Sequence, residues 1–450
     1  MDRDWLERYA QHAQANTKIP IEFYEKFNVK RGLRNNDGTG VLVGLTEIGD
    51  VHGYIIDEVD KVPVEGRLRY RGIDLFDLVR GFQQEKRFGF EETVYLLLFG
   101  TLPTGRELEA FGKLIGEARL LPENFTEDTI LTTPSQDIMN KMARSVLVSY
   151  SYDQQAEDYS IPNILRQCIY LIAQLPVFAA YGYQARRHYF HNESLYIHNP
   201  SAELSTAENF LQMIRPDQSY TPLEADLLDL SLVLHAEHGG GNNSAFTVHV
   251  VSSAETDTYS AVAAAIGSLK GAKHGGANIR VMGMFEDIKA NVKDWSSEAE
   301  VGAYLRKILR KEAYDKSGLI YGIGHAVYTL SDPRAKLLKE RAELLAKEKG
   351  FNEEFNLYAL VERLAPGIFQ EEKESDKVVS PNVDFYSGFV YSMLNIPFGL
   401  YTPLFAISRI AGWSAHRLEE LISGGRIIRP AYKNILQADS YVPLSDRKNP

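Results

Sequence analysis

Four stretches of this 450-residue chain set imidazole, carboxylate or guanidinium groups beside glycine, proline or an expected helix end. The first is His235-Ala236-Glu237-His238-Gly239-Gly240-Gly241. Histidines at this spacing share one face at the end of an apolar helix, and the glycines let backbone approach a ligand closely. The same pattern also suits core histidines beside a helix stop. The second, Gly271-Ala272-Lys273-His274-Gly275-Gly276-Ala277-Asn278, puts a histidine in a flexible loop and by itself reads as a turn.

The third stretch joins Gly322-Ile323-Gly324-His325-Ala326-Val327-Tyr328 to Ser331-Asp332-Pro333-Arg334. Asp332 reads as an N-cap and Pro333 as the first helical residue. Arg334 then falls in the first turn, where a cation is unfavourable unless an anion sits there. A solvated surface arginine is the plainer alternative. The fourth stretch is Pro381-Asn382-Val383-Asp384-Phe385-Tyr386-Ser387-Gly388. An apolar setting around Asp384 raises a carboxyl pKa and makes a better proton acceptor. An N-cap role would explain the same residue and is compatible with it. Two more arginines stand out. Arg409 lies amid Phe405, Ile407 and Ile410, where a guanidinium is costly unless paired. Arg429 follows a helix stop in Arg426-Ile427-Ile428-Arg429-Pro430.

The elements that position these groups are mostly helices. Glu91 to Phe99 has acids in its first turn and Gly100 at its end. Capping boxes are expected at Thr221-Pro222-Leu223-Glu224 and Ser297-Glu298-Ala299-Glu300. The first opens a helix that Gly239-Gly240-Gly241 stops. Asp332-Pro333 opens another, to about Lys349 before Gly350, and Thr402-Pro403 a third, through Ile422. Val41 to Ile56 suits short strands or a hairpin. Sustained alternation is scarce, so the fold is expected to be mainly α. A charge-rich segment, 275–380, suggests a smaller helical domain inserted into a larger one formed by 1–274 and 381–450.

The chain carries 49 basic and 60 acidic residues, a net charge of -11, which argues against nucleic-acid binding. One cysteine, Cys168, excludes an internal disulfide and suits a reducing cytoplasm. It precedes an apolar run and reads as a buried, inert thiol. The N-terminus carries acids early, unlike a secretory or transit segment. The longest apolar stretch, Cys168 to Tyr183, is broken by Gln174 and Pro176 and looks too short to span a bilayer. The expectation is a cytoplasmic protein with no membrane partner.

In order and spacing these motifs resemble the citrate synthase family. The resemblance is strongest over 231–430 and extends to Tyr70-Arg71-Gly72-Ile73-Asp74 and Tyr95-Leu96-Leu97-Leu98-Phe99-Gly100. It implies a mainly α homodimer whose large and small domains close over acetyl-CoA and oxaloacetate, with no metal and no cofactor beyond the CoA thioester substrate. It implies that His274 binds the thioester carbonyl, that Asp384 removes the acyl α-proton and that His325 polarises the ketone. His238, Arg334 and Arg409 would hold the oxo acid, Arg429 would reach that pocket from the partner subunit, and His235 would support the site from behind. Gly322, Ile323, Gly324 and Lys377 are candidates for CoA contacts. A weakly acidic α-proton needs a base acting together with a carbonyl donor, and a dicarboxylate needs bidentate cations.

Gly239, Ala326 and Ala431-Tyr432-Lys433 depart from common family patterns and leave the acyl preference open. Propionyl-CoA, giving 2-methylcitrate, differs by one methylene, worth about 1–3 kcal/mol of discrimination. Two other readings stand beside these. A metal-dependent hydrolase would use His235, His238, His274 and His325, but the His-x-x-His spacing is not that of the zinc-binding helix motif. An inactive helical scaffold would have no need of the full set of histidines, Asp384 and arginines.

Overall fold

The computed structural model describes residues 3–35, 38–57, 60–325, 327–375 and 378–447. Seventeen α-helices and three strands appear among them, so the fold is mainly α, as expected. Local chemistry sets many boundaries. Thr104, Ser205 and Thr221 each form reciprocal capping boxes with the glutamate three residues on. Gly100 and Gly350 close their helices in the left-handed region. Ser297 forms half of its expected box. Its side chain accepts from Glu300 N–H, but the Glu300 carboxylate turns back to the N–H groups of Lys293 and Asp294, each 3.2 Å away. The preceding turn has unmet donors of its own and captures that carboxylate.

Two long helices pack against each other in the first group of helices. Ile161–His191 runs for 31 residues straight through Pro176. The sequence suggested a shorter apolar segment interrupted there. A mid-helix proline removes one hydrogen bond and costs about 3 kcal/mol, and burial of Leu171, Ile172, Leu175, Val177 and Phe178 around it outweighs that. By length and composition the helix could cross a membrane, yet 83% of its apolar window is buried within the protein. It is a core helix. Cys168 lies on it, fully buried, and burial pushes its thiol pKa up. Tyr401–Ile422 packs across it and reaches the helix Pro222–His235. Buried Asp229 on that last helix accepts from Gly89 N–H and from Phe90 N–H at 3.2 Å, so it caps the helix Phe90–Phe99 from a distance.

A second group of helices, Ala277–Asn291, Glu298–Leu309, Pro333–Lys349 and Asn352–Lys373, packs together with Val383–Met393. Its seam is aromatic: Phe285 stacks on Tyr358 at 3.5 Å, and Phe385 and Phe389 close around them at 5.5 and 4.7 Å. Its outer face carries ion pairs, Arg306 to Glu371 at 2.6 Å and Arg310 to Glu372 at 2.7 Å. That accounts for the charge density read between 275 and 380.

The expected hairpin exists but lies later in the chain. Strands β1 (Gly49–Asp57) and β2 (Asp60–Tyr70) pair antiparallel, and β3 (Ile73–Asp74) pairs with the end of β2. The hairpin lies against the 327–331 loop. Gly66 N–H donates to Ser331 Oγ at 3.3 Å, and a Cβ on Gly53 would stand 2.6 Å from the Val327 carbonyl oxygen. A Cβ on Gly66 would press into the Ser331 carbonyl and sit 2.7 Å from the Tyr328 ring. Gly66→Ala is therefore expected to destabilise the protein by about 1–3 kcal/mol, the usual scale for overpacking. Urea melts of the two proteins with equal slopes and unshifted midpoints would show that the hairpin is not held this closely.

Candidate active site

The helix Pro222–His235 ends at His235, four residues before the first glycine of the triplet. His238 therefore lies beyond the helix, in an open turn, and does not share a helical face with His235 as the spacing suggested. The turn is held by tertiary donors. Arg409 Nε donates to the His235 carbonyl at 2.6 Å, and Gly412 N–H donates to the Ala236 carbonyl at 3.2 Å. The Tyr70 hydroxyl sits within 3.3 Å of the Glu237 carbonyl and 3.0 Å of that of Val233. Tyr70 was legible only as part of a family motif, and this is its structural use.

Opposite this turn stands the loop bearing His325. The His238 and His325 rings meet edge to face with centroids 5.2 Å apart, and Tyr328 packs on both. His325 Nδ1 accepts from the N–H groups of Val327 and Tyr328, each at 3.1 Å. With Nδ1 occupied as an acceptor, a neutral ring carries its proton on Nε2. Burial, reinforced by the Arg334 charge, lowers the His325 pKa to about 4, so the ring is neutral near pH 7. Burial likewise holds His235 and His238 well below the usual histidine range, and His238 Nε2 is buried without a partner among the described residues.

Arg334 is buried at the start of its helix and is not a solvated surface residue. Its Nε and Nη2 bond to the two oxygens of Asp332 at 3.0 and 2.7 Å, which raises its already high pKa. Asp332 also accepts from Arg334 N–H at 3.0 Å and from Val383 N–H at 3.2 Å. One carboxylate thus joins the N-termini of Pro333–Lys349 and Val383–Met393. The sequence identified it only as a cap. Asn382, not Asp384, caps the second of these helices, its side chain accepting from Asp384 N–H at 2.9 Å.

Asp384 is consequently free of capping duty. Burial lifts its pKa to about 6, against the opposing pull of Arg334 and Arg409. Arg409 is wholly buried, lies 4.7 Å over the Phe405 ring, and has both terminal nitrogens without partners among the described residues. Burial lowers its pKa to about 10, and the Glu237 carboxylate limits the fall. A buried guanidinium fork with both prongs unmet is a socket for a carboxylate.

His274 sits in the turn before Ala277–Asn291, its Nε2 3.1 Å from Ser244 Oγ. Ser244 in turn accepts from the indole N–H of Trp413 at 3.1 Å. Burial lowers the His274 pKa to about 4, with Arg409 adding to the effect. Ser244 Oγ gives its own hydrogen to Asn242 Oδ1 at 2.9 Å, so the Trp413–Ser244–Asn242 chain holds the His274 ring at Nε2. Ser244 and Trp413 carried no motif signal, because a hydroxyl and an indole acquire their roles only through the packing of separate helices.

The remaining sequence candidates fall outside this cluster. Gly322 and Gly324 spend backbone groups on the 380–382 segment: Gly324 N–H donates to Ser380 O at 2.8 Å, and Asn382 donates to the carbonyls of Gly322 and Gly324, each at 2.9 Å; Ile323 N–H donates to Ile320 O at 3.2 Å. Gly322 packs so closely on Phe385 that a Cβ would stand 2.9 Å from its Cα. Lys377 and Ala326 lie outside the described residues. Arg429 is exposed on an extended tail and makes no bond to the cluster among the described residues. The tail is anchored beside it by Ile428 N–H to Ser253 Oγ at 3.1 Å. Among the described residues, His235, His238, His274 and His325 do not form a group whose ligand atoms converge on one ion, which removes the geometric basis for the hydrolase alternative.

Residues 37–431 match the model of the citrate synthase C-terminal domain. The chain is 35% identical to the citrate synthase of Haloferax volcanii, covering 93% of this chain and 99% of that one. It is 32% identical to the 2-methylcitrate synthase of Shewanella oneidensis, covering 85% and 90%. Its fold is similar to the citrate synthase of Thermoplasma acidophilum in ternary complex with carboxymethyl coenzyme A and oxaloacetate, at TM-score 0.75 and 25% identity over 93% of this chain and 99% of that one.

A carboxyl that binds its proton more tightly in the folded than in the unfolded state stabilises the fold below the unfolded pKa. That contribution is lost as pH rises through the folded value. With Asp384 at about 6, Asp384→Asn is expected to raise the melting temperature at pH 8, by no more than the equivalent of about 3 kcal/mol, and to give no gain at pH 4. Thermal melts at both pH values check this. A gain of equal size at the two would refute a buried, proton-binding Asp384.

Proposed function

The chain belongs to the citrate synthase family, and on that premise we propose that it condenses acetyl-CoA with oxaloacetate, giving citrate and CoA. The observation that carries this reading is the unmet guanidinium fork of Arg409, buried beside a carboxyl poised to accept a proton and two neutral imidazoles.

In this mechanism Asp384 takes a proton from the acetyl methyl group while His274 hydrogen-bonds the thioester oxygen. Neither group acts alone: the base meets a weak carbon acid, and the donor lowers the cost of the enol. The enol carbon attacks the ketone carbon of oxaloacetate. His325 Nε2–H polarises that ketone and protonates the alkoxide that forms. Arg409, Arg334 and His238 hold the oxo acid, with His235 behind them. Water then attacks the citryl thioester, the carbon–sulfur bond breaks, and CoA leaves as the thiol. The chemistry uses no metal and no cofactor beyond the thioester.

The assembly that fits is a homodimer. The tail carrying Arg429 exposes Tyr432, Leu436, Tyr441 and Leu444, and an apolar strap of this kind suits a partner surface. Arg429 on that strap would complete the partner's oxo-acid pocket. The small domain read from the sequence as 275–380 gains the helix Val383–Met393, which packs within it, so we assign 275–393 as the small domain and 1–274 with 394–450 as the large one, closing over the substrates to exclude water. Gly322, Ile323, Gly324 and Lys377 remain the candidates for CoA contacts. The acidic composition and the single buried cysteine suit a cytoplasmic enzyme. Similarity to a 2-methylcitrate synthase supports propionyl-CoA as a second acyl donor.

Thiol release from acetyl-CoA should require oxaloacetate, and the kcat/KM ratio against propionyl-CoA measures the acyl preference. Asp384→Asn should lower kcat at least about 100-fold. In the parent enzyme kcat/KM should fall about tenfold per pH unit below the Asp384 value of about 6, since the ionised form is the base. Release without oxaloacetate, or a fully active variant, would overturn the assignment. Mixing inactive Asp384→Asn with inactive Arg429→Ala should restore up to about a quarter of parental activity per site through hybrid dimers with one intact site. No recovery from exchanged dimers would place Arg429 in its own subunit's pocket or outside it.

A further inference from the structure

Beneath the 235–239 turn lies a relay of imidazoles and carboxylates that the condensation does not use. The helix Tyr401–Ile422 supplies His416, Glu419 and Glu420, the helix Asn243–Ser252 supplies His249, and the turn itself supplies Glu237. His416 and Glu237 are both completely buried. His416 Nε2 lies 3.0 Å from Glu237 Oε1. His416 Nδ1 lies 3.1 Å from His249 Nε2 and 3.6 Å from Glu419 Oε2. His249 Nδ1 lies 2.8 Å from Glu420 Oε2.

Proton counting fixes the charge of this relay. Ionised carboxylates only accept, so the nitrogen of each ring that faces one carries a hydrogen: Nε2 of His416 and Nδ1 of His249. Were both rings neutral, their inner nitrogens would oppose lone pair to lone pair at 3.1 Å. One further proton belongs between them, and the pair therefore contains one imidazolium. His416 faces two carboxylates, Glu237 and Glu419, whereas His249 faces Glu420 alone, so the charge resides on His416.

We propose that His416 is a protonated positioning residue, which neutralises buried Glu237 and thereby fixes the turn that presents His238 and orients Arg409. Glu237 is the wedge through which it acts. Its Oε1 accepts Gly239 N–H, and Cβ atoms at Gly49 and Gly412 would stand 2.8 Å from that oxygen and 2.6 Å from the Ala236 carbonyl. Neither glycine leaves the carboxylate room to shift. The other charges around the relay are Arg409, which faces Glu237, and Arg71, which faces Glu419 and Glu47. Glu47 N–H also binds Glu419 Oε1 at 2.7 Å. Burial by itself would strip His416 of its proton, but Glu237 outweighs burial and brings the pKa to about 9.

The protonation state is tested on the unmodified enzyme by neutron diffraction in heavy water near neutral pD. Deuterium on both ring nitrogens of His416 is expected. A single deuterium there, or a metal ion between the two rings, overturns the proposal. The positioning role rests on the proposed condensation and is tested by kinetics. His416→Gln leaves Glu237 buried and unpaired, and is expected to raise KM for oxaloacetate about 10–100-fold with kcat changed less than about threefold. Adding Glu237→Gln removes the orphaned charge and should recover part of that loss. A folded His416→Gln enzyme with unchanged KM, or one that loses kcat alone, overturns it. Failure of the parent enzyme to show oxaloacetate-dependent thiol release would sink the proposed function and leave the neutron result standing.

Discussion

The whole site depends on keeping one cation, Arg409, buried without a counter-ion at contact. Taking a guanidinium out of water is expensive, and leaving both its terminal nitrogens unmet adds to that. Three features make it tolerable. The His235 carbonyl accepts its Nε, the Phe405 ring lies beneath its face, and the Glu237 carboxylate acts on it from behind. Each comes from a different place in the chain, so the arginine retains its geometry only while the helices Pro222–His235 and Tyr401–Ile422 stay packed. A carboxylate meeting both terminal nitrogens would relieve that penalty.

Asp332 performs the matching task on the other side. It joins the ends of two helices and orients Arg334, so a single carboxylate fixes both a buried cation and the helix that bears Asp384. The 322–324 segment extends this coupling, since its bonds to 380–382 tie the His325 loop to the same helix. Electrostatics then divides the labour. Burial and neighbouring arginines keep two imidazoles neutral, while burial lifts one carboxyl to about 6 against the same arginines.

Much of this was legible in the sequence. His238, His274, His325, Arg334 and Asp384 stood beside glycines, prolines and helix starts, Arg409 stood amid apolar residues, and the structure gathers them. Helix starts with local signals, such as Thr221 and Asp332, fell where expected. What escaped depended on distant contacts. The end of the 222–235 helix is set by Arg409, Gly412 and Tyr70, none of them nearby in sequence. Pro176 marked a break that burial overrode. Ser244, Trp413 and His416 carry no signature, because their meaning lies in what other helices bring to them.

Cys168 has a chemical consequence of its own. The reaction releases a thiol, and oxidised CoA is a disulfide that would exchange with any reactive cysteine near it. The only sulfhydryl in this chain lies in the middle of the core helix, fully buried, with its thiolate disfavoured. The protein therefore offers its own product no partner for a mixed disulfide. Aromatic disulfide reagents that count released CoA would report turnover without modifying the catalyst.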